Sequence, residues 1–191
     1  MTDSDTGERP GKRERLVASA ADLLHRHGVE RTTLAAIAHA ADVPQGNVYY
    51  YFKTRDDLVR AVIDSRAESI RSLLASCDRR STPRARLKGL AHSWAQAADL
   101  VANHGCPLGS LCTELNKQGG QLAEDGAQLF RIILDWAESQ FREMGRKDAP
   151  ELATTLFAGV QGASMLADTL GDPKILSREV RRLERWIDSL A

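Results

Sequence analysis

From Leu16 to Leu190 the apolar residues recur at three- and four-residue intervals, and no segment alternates with a period of two. Such spacing lines one face of a helix and cannot line one face of a strand, so the fold is expected to be all-α, with about nine helices. Leu16, Ala20, Leu23, Leu24 and His27 stripe the first helix, and Gly28 offers its stop. Thr33 caps a second carrying Leu34, Ile37, Ala38 and Ala41; Asp42-Val43-Pro44 ends it, because a residue before proline is pushed out of the helical region. A short third helix runs from Gln45 to Phe52, and Thr54 with Asp57 makes a capping box for a long fourth.

Thr82-Pro83 opens a helix through Leu87, Leu90, Trp94, Ala97 and Val101, which His104-Gly105-Cys106-Pro107 breaks. The segment from Leu108 to Cys112 reads as irregular. Further helices carry Leu122 to Phe141, then Leu152 to Leu166 behind a box of Asp148 with Glu151, then Ile175 to Leu190 after Asp172-Pro173. The expected organisation is a flexible tail over 1–11, a DNA-binding domain over 12–58, and a ligand-binding and dimerisation domain over 59–191.

The 191 residues are 42% hydrophobic and 27% charged, enough for one full core or two small ones and unlike a disordered chain. Lys+Arg and Asp+Glu are both 26, a formal balance that excludes a wholly basic nucleic-acid coat protein. No apolar run approaches the roughly 20 residues that cross a bilayer, so no membrane partner is expected. The N-terminus is polar and unlike a signal peptide, and Cys77, Cys106 and Cys112 are odd in number and irregularly spaced. A cytoplasmic location is the expectation. No Ser/His/Asp arrangement, glycine-rich phosphate loop or paired carboxylate motif appears, so neither an enzyme nor a bound cofactor or metal is expected.

Charge is uneven. Residues 9–55 hold eight Lys+Arg against four acids, whereas residues 89–191 hold ten against fourteen. Within the basic end, two short helices meet at Asp42-Val43-Pro44 in the layout of a helix-turn-helix unit. All three tyrosines are consecutive there, Tyr49-Tyr50-Tyr51, beside Gln45, Gly46, Asn47 and Lys53. Val48 and Phe52, four apart, are expected to anchor this helix inward and leave the others outward. Gln45 and Asn47 can pair with adenine, Gly46 lets the backbone approach a groove, and tyrosine and lysine donate to phosphate. Arg13 and Arg15 are candidates for added phosphate contacts. A helical protein-interaction module using the tyrosine patch is the alternative.

The stretch Thr33 to Ala38 and Asp42 to Leu58 resembles the DNA-binding region of the tetracycline-repressor (TetR) family of bacterial transcriptional regulators. The resemblance implies that Thr33, Tyr51 and Lys53 touch phosphate, while Gln45, Gly46, Asn47, Tyr49 and Tyr50 meet bases or nearby backbone. It also implies a repressor released from double-stranded DNA by a small-molecule inducer.

One short recognition helix makes few base contacts, so specific binding calls for a homodimer on a palindromic operator, its two helices about 34–36 Å apart. The small-residue surface of Gly159, Gly162, Ala163 and Ser164, flanked by Phe157 and Val160, suggests the dimer interface together with Leu183, Trp186, Ile187 and Leu190. By resemblance, the last two helices pair with their copies as a four-helix bundle. Trp94, Leu111, Phe130, Trp136 and Met165 are candidates to line an apolar cavity, with Gln161 as an orienting polar group. The stretch Gly105-Cys106-Pro107-Leu108-Gly109 resembles one found beside the ligand cavity in a subset of the family. Near His104, Cys106 could sense electrophiles or oxidants, which is the alternative route to release.

Overall fold

The computed structural model describes residues 10–190, so the expected tail before Pro10, Arg9 included, lies outside the described residues. Those residues contain ten helices and no strand: α1 (Lys12–His27), α2 (Leu34–Ala40), α3 (Gln45–Tyr51), α4 (Arg55–Asp78), α5 (Pro83–Gln96), α6 (Ala98–His104), α7 (Pro107–Gln118), α8 (Gln121–Glu143), α9 (Ala149–Leu170) and α10 (Pro173–Ser189). The fold is all-α. Its α5 and α6 are parted by Ala97 alone, whose φ of −94° and ψ of 8° turn its N–H back to the Trp94 carbonyl at 3.1 Å. Counted as one interrupted helix, the pair brings the total to nine.

Local capping is largely as the sequence indicates. Thr54 and Asp57 form a reciprocal box: the Thr54 N–H donates to the Asp57 carboxylate at 3.0 Å, and the Asp57 N–H to the Thr54 hydroxyl at 3.1 Å. Thr82 accepts from the Ala85 N–H, and Asp172 from the Lys174 N–H. Two expectations fail. Asp148 makes no cap on α9, because its two carboxylate oxygens are held at 2.9 Å by the Arg146 guanidinium. The segment after Cys106 is not irregular but forms α7, with Pro107 in the first turn, where its missing N–H is no loss.

The contacts separate into two units, Met1–Val62 and Ile63–Ala191, with the boundary inside α4. In the first, α1 packs on α2 and α2 on α3, burying Leu16, Ala20, Leu24, Ile37, Val43, Val48 and Phe52. In the second, α9 lies against α6, α8 and α10, and α10 also against α5. Their core includes Leu87, Leu90, Ile133, Phe141, Leu156, Leu176, Leu183 and Ile187, each fully burying a side chain worth about 1.5–3 kcal/mol. Among the described residues no helix is long and apolar enough to cross a membrane.

Candidate nucleic-acid interface and ligand cavity

The turn between α2 and α3 is built from the backbone outward. Helix α2 closes as a Schellman motif: the Val43 N–H reaches the Ala38 carbonyl at 3.0 Å and the Asp42 N–H the His39 carbonyl at 3.1 Å. Asp42 takes the left-handed position usually given to glycine, with φ of 52°, and Val43 turns inward, 5% exposed. The stop therefore precedes the proline-directed one by a residue. Arg15 fastens this turn from α1, its Nε donating to the Ala41 carbonyl at 3.1 Å and its Nη2 to the Asp42 carbonyl at 3.0 Å. Arg13 lies over the Phe52 ring, 5.4 Å from its centroid. Two arginines that suggested phosphate contacts are thus engaged within the unit.

Helix α3 is anchored by Val48, 0% exposed, with Phe52 just beyond it. Away from that anchor stand Gln45 and Gly46, both exposed, with Tyr49 at 52% and Tyr50 at 78%. Asn47 and Tyr51 are half-buried, and the Tyr51 ring meets that of Tyr50 edge-on at 5.0 Å. Lys53 is exposed and caps the helix through the Tyr49 carbonyl at 3.2 Å. Thr33 is exposed at the start of α2; its oxygen accepts from the Ala36 N–H, leaving the hydroxyl hydrogen to donate outward. The first unit therefore presents hydroxyl, amide and ammonium groups on and beside one short helix, the chemistry that phosphates and base edges accept.

In the second unit, a cavity of about 500 Å³ opens between α7, α8 and α9. It brings together four of the residues singled out from the sequence: Cys106, Phe130, Gln161 and Met165. Ser110, Thr113, Glu114 and Asp168 line it too, and they escaped the sequence reading. With α7 recognised as a helix, the spacing of Ser110, Thr113 and Glu114 would have put them on one face. A second cavity of about 250 Å³ is lined by Arg66, Ile70 and Leu73 of α4 together with Trp94, Cys106 and Leu108. Leu111 and Trp136 line neither cavity. Leu111 is buried, and the Trp136 indole N–H donates to the Asp78 carboxylate at 3.0 Å.

Cys106 lies on both cavities as the cap of α7. Its Sγ accepts from the Gly109 N–H at 3.4 Å and from the Gln161 amide at 3.8 Å. A Cβ at Gly109 would lie 2.6 Å from the Gln161 Oε1, so any larger residue there would displace the end of the Gln161 side chain. Cys112, six residues on, donates to the Gly126 carbonyl, and burial pushes its thiol up to about 12. Among the described residues no group of three His, Cys, Asp or Glu side chains gathers as a metal would need.

The residues expected at a dimer interface pack wholly or in part within the chain. Phe157, Val160, Leu183 and Ile187 are buried within the chain, and Trp186 and Leu190 pack against the same core. Apolar periodicity marks the buried stripe of a helix and is silent about which chain buries it. The outward face of α9 carries Ala158, Met165, Leu166 and Leu170, the last three 64%, 47% and 66% exposed. Gly162 opens onto space there, and a groove of about 630 Å³ runs beside it, edged by Arg178, Arg181, Arg182 and Arg185 of α10.

Comparison with known proteins agrees with this geometry. Residues 16–62 match the family model for bacterial regulatory proteins of the tetR family. Along nearly its whole length the chain is similar to the HTH-type transcriptional regulator TtgR of Pseudomonas putida, 25% identical over 93% of this chain and 88% of that one. The fold is that of a TetR transcriptional regulator from Legionella pneumophila, with a TM-score of 0.83 at 20% identity over 95% of this chain and 97% of the other. A TetR transcriptional regulator from Chloroflexus aurantiacus superposes with a TM-score of 0.84 at 23% identity, covering 93% and 94%.

Proposed function

We propose that this chain, a helix-turn-helix transcriptional regulator of the TetR family, is a homodimeric repressor released from a palindromic operator by a small molecule bound in its second unit. The observation that carries the DNA reading is the exposed face of α3, where Gln45, Gly46, Tyr49 and Tyr50 point away from the side anchored by Val48 and Phe52. Asn47, Tyr51, Lys53 and Thr33 complete the footprint. Selection from random duplexes tests it. The enriched sequence should be a palindrome with half-site centres about one helical turn apart; enrichment of an unpaired site would oppose the dimer.

Dimerisation is supported by α9, which is apolar on both sides. Its inner stripe is used within the chain, so Ala158, Gly162, Met165, Leu166 and Leu170 are left for a partner.

Release follows from linkage. Helix α4 is the one helix belonging to both units, and it lines the smaller cavity, while Cys106 at the head of α7 borders both cavities. A ligand that prefers a setting of α4 and α7 unsuited to the operator must bind free protein more tightly, and DNA must weaken the ligand by the same factor. Titrating ligand with and without operator checks this, and equal affinities would refute it. A second, covalent reading is favoured by the position of Cys106, whose side chain lines both cavities. In that reading alkylation frees wild-type protein from DNA and leaves Cys106→Ser bound; equal loss in both rejects it.

A further inference from the structure

We propose that Arg55 is a positioning residue for operator binding, setting the peptide that carries Thr33 rather than acting on DNA directly; the inference rests on the reading of Thr33 as a phosphate contact. Arg55 is the first residue of α4, and its Nε donates to the Thr32 carbonyl at 3.4 Å, across 23 residues of chain. That carbonyl and the Thr33 N–H belong to one planar peptide, so whatever holds the oxygen fixes the direction in which the chain enters Thr33.

The same peptide is held from its other side. Thr32 is 3% exposed, and its hydroxyl donates at 2.7 Å to the carbonyl of Gly28, the cap of α1. Thr33 then caps α2, its hydroxyl oxygen accepting from the Ala36 N–H and its carbonyl from the Ile37 N–H at 3.0 Å. The end of α1 and the head of α4 therefore meet at the residue immediately before Thr33, and the outward hydroxyl of Thr33 takes its place from them.

The guanidinium works inward. Its Nη2 is buried and meets no hydrogen-bond partner among the described residues. With Nε on the Thr32 carbonyl, two of its three nitrogens are engaged or enclosed by the protein, whereas Thr33 and Lys53 are exposed. A buried donor left unmet costs stability, so stability alone does not account for an arginine here. What the side chain accomplishes is the hold of Nε on the peptide before Thr33.

The test uses the full-length chain on a selected operator in which single phosphates are replaced, one at a time, by neutral methylphosphonates. Some replacements should weaken wild type, and in Thr33→Ala the one at the phosphate that Thr33 touches should no longer matter. Arg55→Ala should weaken binding to the unmodified operator roughly fivefold for each half-site and become indifferent to that same replacement, while staying sensitive to the rest. Arg55→Gln places an amide donor where Nε stands and drops both the charge and the unmet Nη2. It should bind within about twofold of wild type, with an unaltered salt slope. Proportional weakening at every phosphate in Arg55→Ala would reduce the residue to a structural one and overturn the inference. Indifference at a different phosphate, a slope flattened by about 0.9 per half-site in Arg55→Gln, or an Arg55→Gln as weak as Arg55→Ala would overturn it too. Those outcomes leave the reading of Thr33 standing, whereas a Thr33→Ala scan identical to wild type removes that reading and the inference with it.

Discussion

Replacing Arg15 by alanine separates two roles that one arginine near DNA can have. In the structure its guanidinium spans the end of α2, holding the Ala41 and Asp42 carbonyls at 3.1 Å and 3.0 Å, where Asp42 sits in the left-handed region. Hydrogen bonds from a charged donor contribute about 1.5–3 kcal/mol when sheltered. One of these two is exposed, so the loss from Arg15→Ala is set at about 1–2 kcal/mol, confined to the first unit. Hydrogen exchange across 38–52 should then quicken roughly 5–30-fold. The three tryptophans, Trp94, Trp136 and Trp186, all lie in the second unit, and their unfolding signal should not shift. The salt dependence of DNA binding should also stay as it is. Lys53→Ala should instead flatten the slope of log affinity against log salt by about 0.9 per half-site. A flattened slope in Arg15→Ala without faster exchange would mean that Arg15 neutralises a phosphate and that the turn holds without it.

Other outcomes are as specific. Thr54→Ala removes one side of the box at the head of α4 and should cost about 1 kcal/mol, measured by exchange in the first unit. Leu166→Glu on the outer face of α9 should yield monomers in sedimentation and abolish operator binding, whereas a variant that stays dimeric moves the interface elsewhere. Cys112, with its thiol pushed up to about 12, should resist iodoacetamide at pH 8, where roughly one molecule in ten thousand is thiolate; rapid labelling in folded protein would contradict its burial. Arg146 holds the Asp148 carboxyl below the ordinary carboxylate range. That pairing stabilises the fold above the unfolded-state pKa and is lost as pH falls through the folded value, so Arg146→Ala should raise the Asp148 titration seen by NMR.

What the sequence made legible was local or periodic. Thr54 with Asp57, Thr82 before Pro83 and Asp172 before Pro173 are contacts between a side chain and its own helix start, and all three form. The helix α7 was hidden because Gly105, Pro107 and Gly109 look like breakers. In place, Pro107 needs no donor, and Gly109 admits the Gln161 side chain. The interruption at Ala97 has no signal in a residue that favours helices, so it belongs to tertiary packing. Outward residues of α3 could be named because a seven-residue helix with one fully buried side chain leaves few choices. The cavity was half legible: Cys106, Phe130, Gln161 and Met165 meet there, but Leu111 and Trp136 carry the same apolar signature and pack elsewhere.

The measurement that bears most directly on function is fluorescence anisotropy of a selected operator duplex with wild-type protein and the Asn47→Ala, Tyr49→Ala double variant, at rising salt. Wild type should bind tightly with a steep salt dependence, and the variant should lose sequence discrimination while its tryptophan-monitored unfolding is unchanged. Equal affinity of the two proteins for operator and scrambled DNA would contradict the assignment of α3 as the element that reads sequence.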